Sequence, residues 1–168
     1  MVPGGPHVLG WLGLGTRLVI GGVWIYAGAV KLPDPAQSVE AVRAYQLLPG
    51  DTASTVGQLL PVVEVVVGVC LVLGLFTRAF AVLSALLFAV FIAGIASVWI
   101  RGIDIDCGCF GGGGYDPDAS SAYPWEVARD TGLLLLSILL AWAGSSRLAL
   151  DSFLFRHEPE PGLEPERI

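Results

Sequence analysis

The chain has 168 residues, of which 54% are hydrophobic and 14% charged, and its mean hydropathy is +0.71. A water-soluble domain carries roughly 25% charged residues, so this chain has too little polar surface to clothe a soluble fold, and the implied partner is a lipid bilayer. Nine basic and fifteen acidic residues give a net charge of −6. The acids lie mostly in loops and the tail, and no basic cluster is dense enough for nucleic acid or an anionic lipid surface.

The length suits a single membrane domain over residues 1–150 and leaves no room for a second folded unit. The first apolar stretch covers residues 9–30. Ala27-Gly28-Ala29 imitates a leader cleavage site, but no basic residue precedes Arg17. The stretch also exceeds the about 7–15 apolar residues of a leader, so it reads as a span. Arg17, inside this span, is expected to reach back to the nearer interface.

Asp34 and Pro35 then supply an N-cap and a first helical position. Val39, Val42 and Tyr45 recur at helical spacing with Glu40 and Arg43 between them, the pattern of a short amphipathic helix lying on the membrane surface. Leu48-Pro49-Gly50-Asp51 is turn chemistry. A second span is expected over 58–75 and a third over 79–100, joined tightly through Phe76-Thr77-Arg78. Residues 101–123 read as a loop, with a glycine run at Gly111–Gly114 that gives the segment mobility. The run follows no strand and lacks the Lys-Ser/Thr of a phosphate loop. Pro124 opens a fourth span over 125–142, with Trp125 as interfacial anchor. Residues 151–168, rich in Glu and Pro, read as a disordered acidic cytoplasmic tail. The expected fold is all-α: a four-helix transmembrane bundle with a short interfacial helix between the first two spans.

Four spans put both termini on one side. Positive charge does not choose that side, since Arg17, Arg78, Arg147 and Arg156 balance Lys31, Arg43, Arg101 and Arg129. The short basic hairpin and the long acidic loops favour cytoplasmic termini and an extracytoplasmic 101–123 loop. A reactive cysteine pair there would face an oxidising compartment.

That pair is Cys107-Gly108-Cys109. Cysteines two residues apart just reach disulfide geometry, and Gly108 permits the turn. Such a small ring would be strained and easily reduced, which suits a redox dithiol; a static staple or two buried thiols are the structural alternatives. No metal is expected, because a zinc site takes about four ligands and no histidine is near. Asp104 and Asp106 would raise the thiol pKa values and Arg101 would lower them. Cys70, alone in an apolar helix, reads as a core residue. Glu64, within Pro61-Val-Val-Glu64-Val, lies about 10 Å below the start of its expected helix. A carboxylate at that depth needs a partner or a proton. Lys31, Arg101 and Arg129 share its membrane face, and Arg129 is the expected partner. A structural ion pair and a functional site fit equally well. His7 and His157, near the termini, carry no assignment.

Gly28-Ala-Val-Lys31-Leu, Asp34-Pro35, Leu47-Leu48-Pro49, Leu60-Pro61-Val-Val-Glu64, Leu73-Gly74-Leu75, Asp106-Cys-Gly-Cys-Phe-Gly111 and Arg129 occur in this order. The set resembles the MauE branch of the DoxX-like membrane proteins over nearly the whole chain. The resemblance implies a membrane bundle tied to thiol–disulfide chemistry, of the kind needed with a thioredoxin-like partner to mature a disulfide-rich dehydrogenase subunit in methylamine utilisation. It makes Cys107 and Cys109 the redox pair and places Glu64 and Arg129 among the inner polar residues. By the same analogy a quinone is the second electron carrier; no cofactor is evident from the residues themselves. With no second cysteine pair in the chain, the thioredoxin-like extracytoplasmic partner is expected to be a separate protein. Three readings follow: a component of a membrane thiol–disulfide oxidoreductase, a non-catalytic assembly subunit whose cysteines staple the loop, and a small transporter using Glu64 as a proton-linked carboxylate.

Overall fold

The computed structural model describes residues 6–143. The tail expected over 151–168 lies outside the described residues, as does His157. Five α-helices dominate: α1 (Pro6–Lys31), α2 (Pro35–Ala44), α3 (Gly50–Leu73), α4 (Thr77–Arg101) and α5 (Tyr123–Ala143). Between α4 and α5 a two-stranded antiparallel ribbon forms from β1 (Ile105–Asp106) and β2 (Gly114–Tyr115), followed by a 3-10 turn at Ala119–Ser121.

Three stretches, Gly10–Lys31, Gly50–Leu73 and Thr77–Arg101, are long and apolar enough to cross a membrane. The 21 residues of α5 match them in length, but Glu126, Arg129 and Asp130 charge its first two turns. α3 begins at Gly50, where the sequence pattern starts its span near 58. Pro49 stands at the N-cap, and the Ser54 and Thr55 hydroxyls donate back to the Gly50 and Asp51 carbonyls, so these polar side chains of the first turns find their partners within the helix. The short helix expected after the first span is present as α2, with the Asp34 side chain accepting from the Gln37 N–H.

Helices α1 and α3 pack antiparallel along glycines. The Gly21 and Gly68 backbones meet directly, and Gly28 rests against Pro61 and Val65, where a Cβ on any of the three glycines would collide. Small residues at such a seam let helix backbones approach closely in lipid. α4 and α5 form the second pair. The Trp24 Nε1–H of α1 donates to Ser84 Oγ of α4 at 2.7 Å, and Ser84 Oγ lies 3.0 Å from Ser137 Oγ of α5, tying three helices together. Trp24 also packs on Phe88 and Phe91.

Each long helix buries one stripe at spacings of three and four: Arg17, Ile20, Trp24 and Lys31 on α1, Pro61, Glu64, Val67 and Leu71 on α3, Ser84, Phe88 and Ile95 on α4, and Asp130, Leu133, Ser137 and Leu140 on α5. The polar residues point inward and the outer faces carry exposed Val and Leu, as a bilayer solvent requires. Arg17 is 2% exposed and donates to the Val72 carbonyl, next to the C-terminal end of α3.

Candidate functional site

The segment 102–122 folds back over the ends of α1, α2 and α5. In the ribbon Ile105 pairs with Tyr115 and Asp106 with Gly114, so residues 107–113 form its tip. All four glycines of the Gly111–Gly114 run adopt positive φ, between 77° and 113°. Gly108 and Gly113 press on Ala41 of α2. The run therefore shapes a tight turn against α2. Tyr123, the first residue of α5, pins the strand from below: its hydroxyl accepts the Ile105 N–H at 2.9 Å and lies 2.8 Å from the Ile103 carbonyl. Tyr45, at the end of α2, donates to the Cys107 carbonyl at 3.0 Å.

Cys107 and Cys109 are both buried, and neither is in a disulfide. Asp106 Oδ1 accepts the Gly108 N–H at 2.9 Å, bending the backbone so that the Cys109 N–H points at Cys107 Sγ, 3.4 Å away. On its other side Cys107 Sγ donates to Glu126 Oε1 at 3.2 Å. A hydrogen bond with Cys107 pushes the Cys109 thiol well above its ordinary pKa, and burial adds to it. Burial also raises the Tyr45 phenol, with the neighbouring cysteines next in effect. Both groups therefore hold their protons at neutral pH.

Several expected residues do converge, with different partners. Glu64 does not pair with Arg129: its Oε1 receives the Lys31 ammonium at 2.7 Å, because the α1–α3 seam sets these two side chains face to face. Arg129 instead pairs with the adjacent Asp130 at 2.9 Å and lies 4.4 Å from the centre of the Phe110 ring, just past the cysteines. Arg101 stands outside the site, where its guanidinium donates to the Tyr45 and Ser97 carbonyls and joins α4 to α2. Asp106 acts on the backbone, while Asp104 accepts the Asp116 N–H through its carbonyl. Among the described residues no three of His, Cys, Asp and Glu gather as a metal-binding group.

Glu126 and Asp130 escaped the sequence reading, and Tyr45 was read only as part of the pattern of α2 and not as a neighbour of Cys107. Glu126 resembles an ordinary acid in a helical first turn. The available signal was periodicity: Asp130 shares the stripe of Leu133, Ser137 and Leu140, and Glu126 lies one turn above it.

The cysteines also wall a cavity of about 340 Å³ bounded by α2, α3 and α4, with Lys31 in its lining. With this arrangement in view, the comparisons are decisive. The family model described as methylamine utilisation protein MauE matches residues 9–143. The chain belongs to the MauE family. A curated relative, methylamine utilization protein MauE of Paracoccus denitrificans, is 36% identical over 98 residues, which cover 58% of this chain and 53% of that protein. The match thus spans about half the length of the curated relative. No solved structure matches. As a member of the MauE family with three long apolar helices, the chain is a membrane protein.

Proposed function

We propose that this MauE-family protein is the membrane component of a thiol–disulfide relay, with Cys107 and Cys109 as its redox pair and a separate thioredoxin-like protein as its extracytoplasmic partner. The observation that carries the reading is the setting of Cys107 Sγ between the Cys109 N–H and the Glu126 carboxylate. A carboxylate that accepts the thiol's hydrogen bond is placed to take its proton.

In the oxidised state a partner thiolate attacks the Cys107–Cys109 bond, giving a mixed disulfide that the partner's second thiol resolves. Two electrons and two protons then reside on Cys107 and Cys109, and the partner leaves as a disulfide. Glu126 delivers the proton that Cys107 gains and recovers it when a quinone, the second electron carrier that the family resemblance implies, takes two electrons and two protons and reoxidises the pair. Maturation of disulfide-containing proteins of the methylamine-utilisation type is the service such a relay performs.

We further place α5 across the membrane as a fourth span. Its Ser137 joins the buried Ser84–Trp24 tie midway along the bundle, and its charges cluster at one end. Four spans put both termini on one side, and the short basic hairpin at Arg78 favours the cytoplasm for that side, with the cysteine loop extracytoplasmic. The test is thiol trapping in intact cells with a membrane-impermeant maleimide, before and after reduction, in wild type and in Cys107→Ser and Cys109→Ser. The relay requires labelling from outside after reduction, and a mixed disulfide with an extracytoplasmic protein in one serine variant. Cysteines that stay reduced throughout, with no mixed disulfide in either variant, would leave the pair two buried structural thiols.

A further inference from the structure

Resting on the relay reading above, we propose that Lys31 is the charge partner of Cys109: its ammonium stabilises the Cys109 sulfur as it leaves the disulfide, which directs the partner's attack to Cys107. The last turn of α1 lies against the cysteine tip. Val30 packs beside Gly111, and the Tyr26 and Phe110 rings lie 5.9 Å apart between centroids. Lys31 follows directly and lines the same cavity of about 340 Å³ as Cys107 and Cys109. Leu60, Leu87 and Phe91 belong to that lining, so a charge there is little screened. Lys31 is only 6% exposed, and a buried charge needs a counter-charge. Glu64 supplies it, accepting one N–H at 2.7 Å of the three an ammonium carries. Glu64 thus holds a cation at the wall of the cysteine cavity.

The two cysteines have different neighbours. Cys107 Sγ has the Glu126 carboxylate at 3.2 Å, placed to give it a proton. For Cys109, the hydrogen bond with Cys107 and burial push the thiol up, the Asp130 charge of α5 adds to the rise, and the Lys31 charge opposes it. From α2 it faces Tyr45, whose phenol holds its proton. A sulfur leaves a disulfide faster the better its thiolate is stabilised, and this sets the order of steps. The partner thiolate bonds to Cys107 Sγ, the S–S bond breaks, and its electron pair goes to Cys109 Sγ beside the ammonium. The partner's second thiol gives its proton to Cys109 and bonds to the partner's first sulfur. The electron pair of the mixed disulfide returns to Cys107 Sγ, which takes the Glu126 proton. Each leaving sulfur therefore has its own helper, a cation for Cys109 and an acid for Cys107.

The experiment uses the full chain in lipid nanodiscs. Of its three cysteines, Cys70→Ala and Cys107→Ala leave Cys109 as the single thiol, and alkylation by a small maleimide at pH 8 reads its thiolate fraction. Two pairs of changes then remove the charges without stranding one of them: Lys31→Met with Glu64→Leu, and Lys31→Gln with Glu64→Gln, which keeps a hydrogen bond across the seam. Each should slow alkylation about tenfold, the effect of one pKa unit on the thiolate fraction. The rates should converge with the parent's as pH rises through the thiol range, because access to the sulfur is unaltered. Lys31→Arg, which keeps the charge, should stay close to the parent rate. In cells, the partner should be trapped as a mixed disulfide in Cys109→Ser and not in Cys107→Ser. Parent-like alkylation in both charge-free variants overturns the role of Lys31, even if mixed disulfides are trapped and the relay stands. Trapping in Cys107→Ser alone overturns the direction of attack. Tenfold slowing with no mixed disulfide in either serine variant overturns the relay and the order of attack with it, leaving only the coupling of Lys31 to Cys109.

Discussion

Lys31 Nζ lies 2.7 Å from Glu64 Oε1, with side-chain exposures of 7% and 0%. The contact joins the last residue of α1 to the middle of the α3 stripe, next to the glycine seam that brings the two helices together. Removing one member leaves a buried, uncompensated charge, which costs about 3–5 kcal/mol, whereas replacing both by apolar groups is often neutral. Lys31→Met should therefore sharply lower the melting temperature and folded yield in detergent, and Lys31→Met with Glu64→Leu should recover most of both. If the double variant melts as low as the single one, the pair is not what holds the seam.

Ser84 is the common member of the tie between Trp24 and Ser137. In Ser84→Ala the indole N–H loses its acceptor inside the bundle. Interhelical hydrogen bonds in membranes contribute about 0.6 kcal/mol, and at most about 1.7, so a modest but measurable loss is expected. Ser137→Ala should cost less, since Trp24 keeps its bond to Ser84. A double-mutant cycle on Trp24→Phe and Ser84→Ala should give a coupling energy of that size, and a coupling of zero would remove this tie from the account of the fold.

These two sets of contacts also explain what could be read in advance. In a bilayer the outer face is apolar, so hydrophobic runs reveal that helices cross but not which side faces inward. The inner stripe is marked by the rare polar residues, and Glu64 was legible for that reason. Its partner was not. Arg129 and Lys31 stand at the same end of the helices, and only the close α1–α3 packing through Gly21 and Gly68 decides for Lys31. The Cys107–Cys109 pair was legible as a motif. Its link to Glu126 depends on how the 102–122 segment folds back onto α5, a contact across 19 residues that no local pattern encodes. The glycine run was legible as a break in structure. Its positive φ values become informative only with Ala41 lying against it.

Gly113 holds φ at 113° with Ala41 against its Cα. An added methyl would both strain the backbone, at about 1–3 kcal/mol, and lift the ribbon tip from α2. Gly113→Ala is expected to loosen the tip and break the Tyr45 bond to the Cys107 carbonyl. Alkylation of Cys107 and Cys109 should accelerate while the helices remain folded. Gly132, in α5 with open space around it, is the matched control: Gly132→Ala should leave thiol reactivity unchanged and stabilise by up to about 1 kcal/mol through helix propensity. Equal reactivity in both variants would mean that the contact with Ala41 does not hold the cysteines in place.

The Cys109 thiol is held above its ordinary range first by its hydrogen bond with Cys107 and then by burial. An unperturbed thiol titrates near about 8.5, so at pH 8 Cys109 should be nearly all thiol and alkylate slowly with a small maleimide. The rate should climb only as pH passes the ordinary thiol range. Cys107→Ala removes the largest cause of the shift, which lowers the pKa and enlarges the thiolate fraction. Alkylation of Cys109 at pH 8 should then rise about tenfold for each unit recovered. The linkage to stability has the matching sign. Because the folded state raises this pKa, the protonated thiol's contribution is complete below the ordinary thiol range and is lost as pH rises through the raised value. Alkaline destabilisation of the reduced protein should therefore be smaller in Cys107→Ala than in wild type. Identical alkylation profiles for Cys109 in the two proteins between pH 7 and about pH 10, the span over which thiols titrate, would show that Cys107 does not govern its proton.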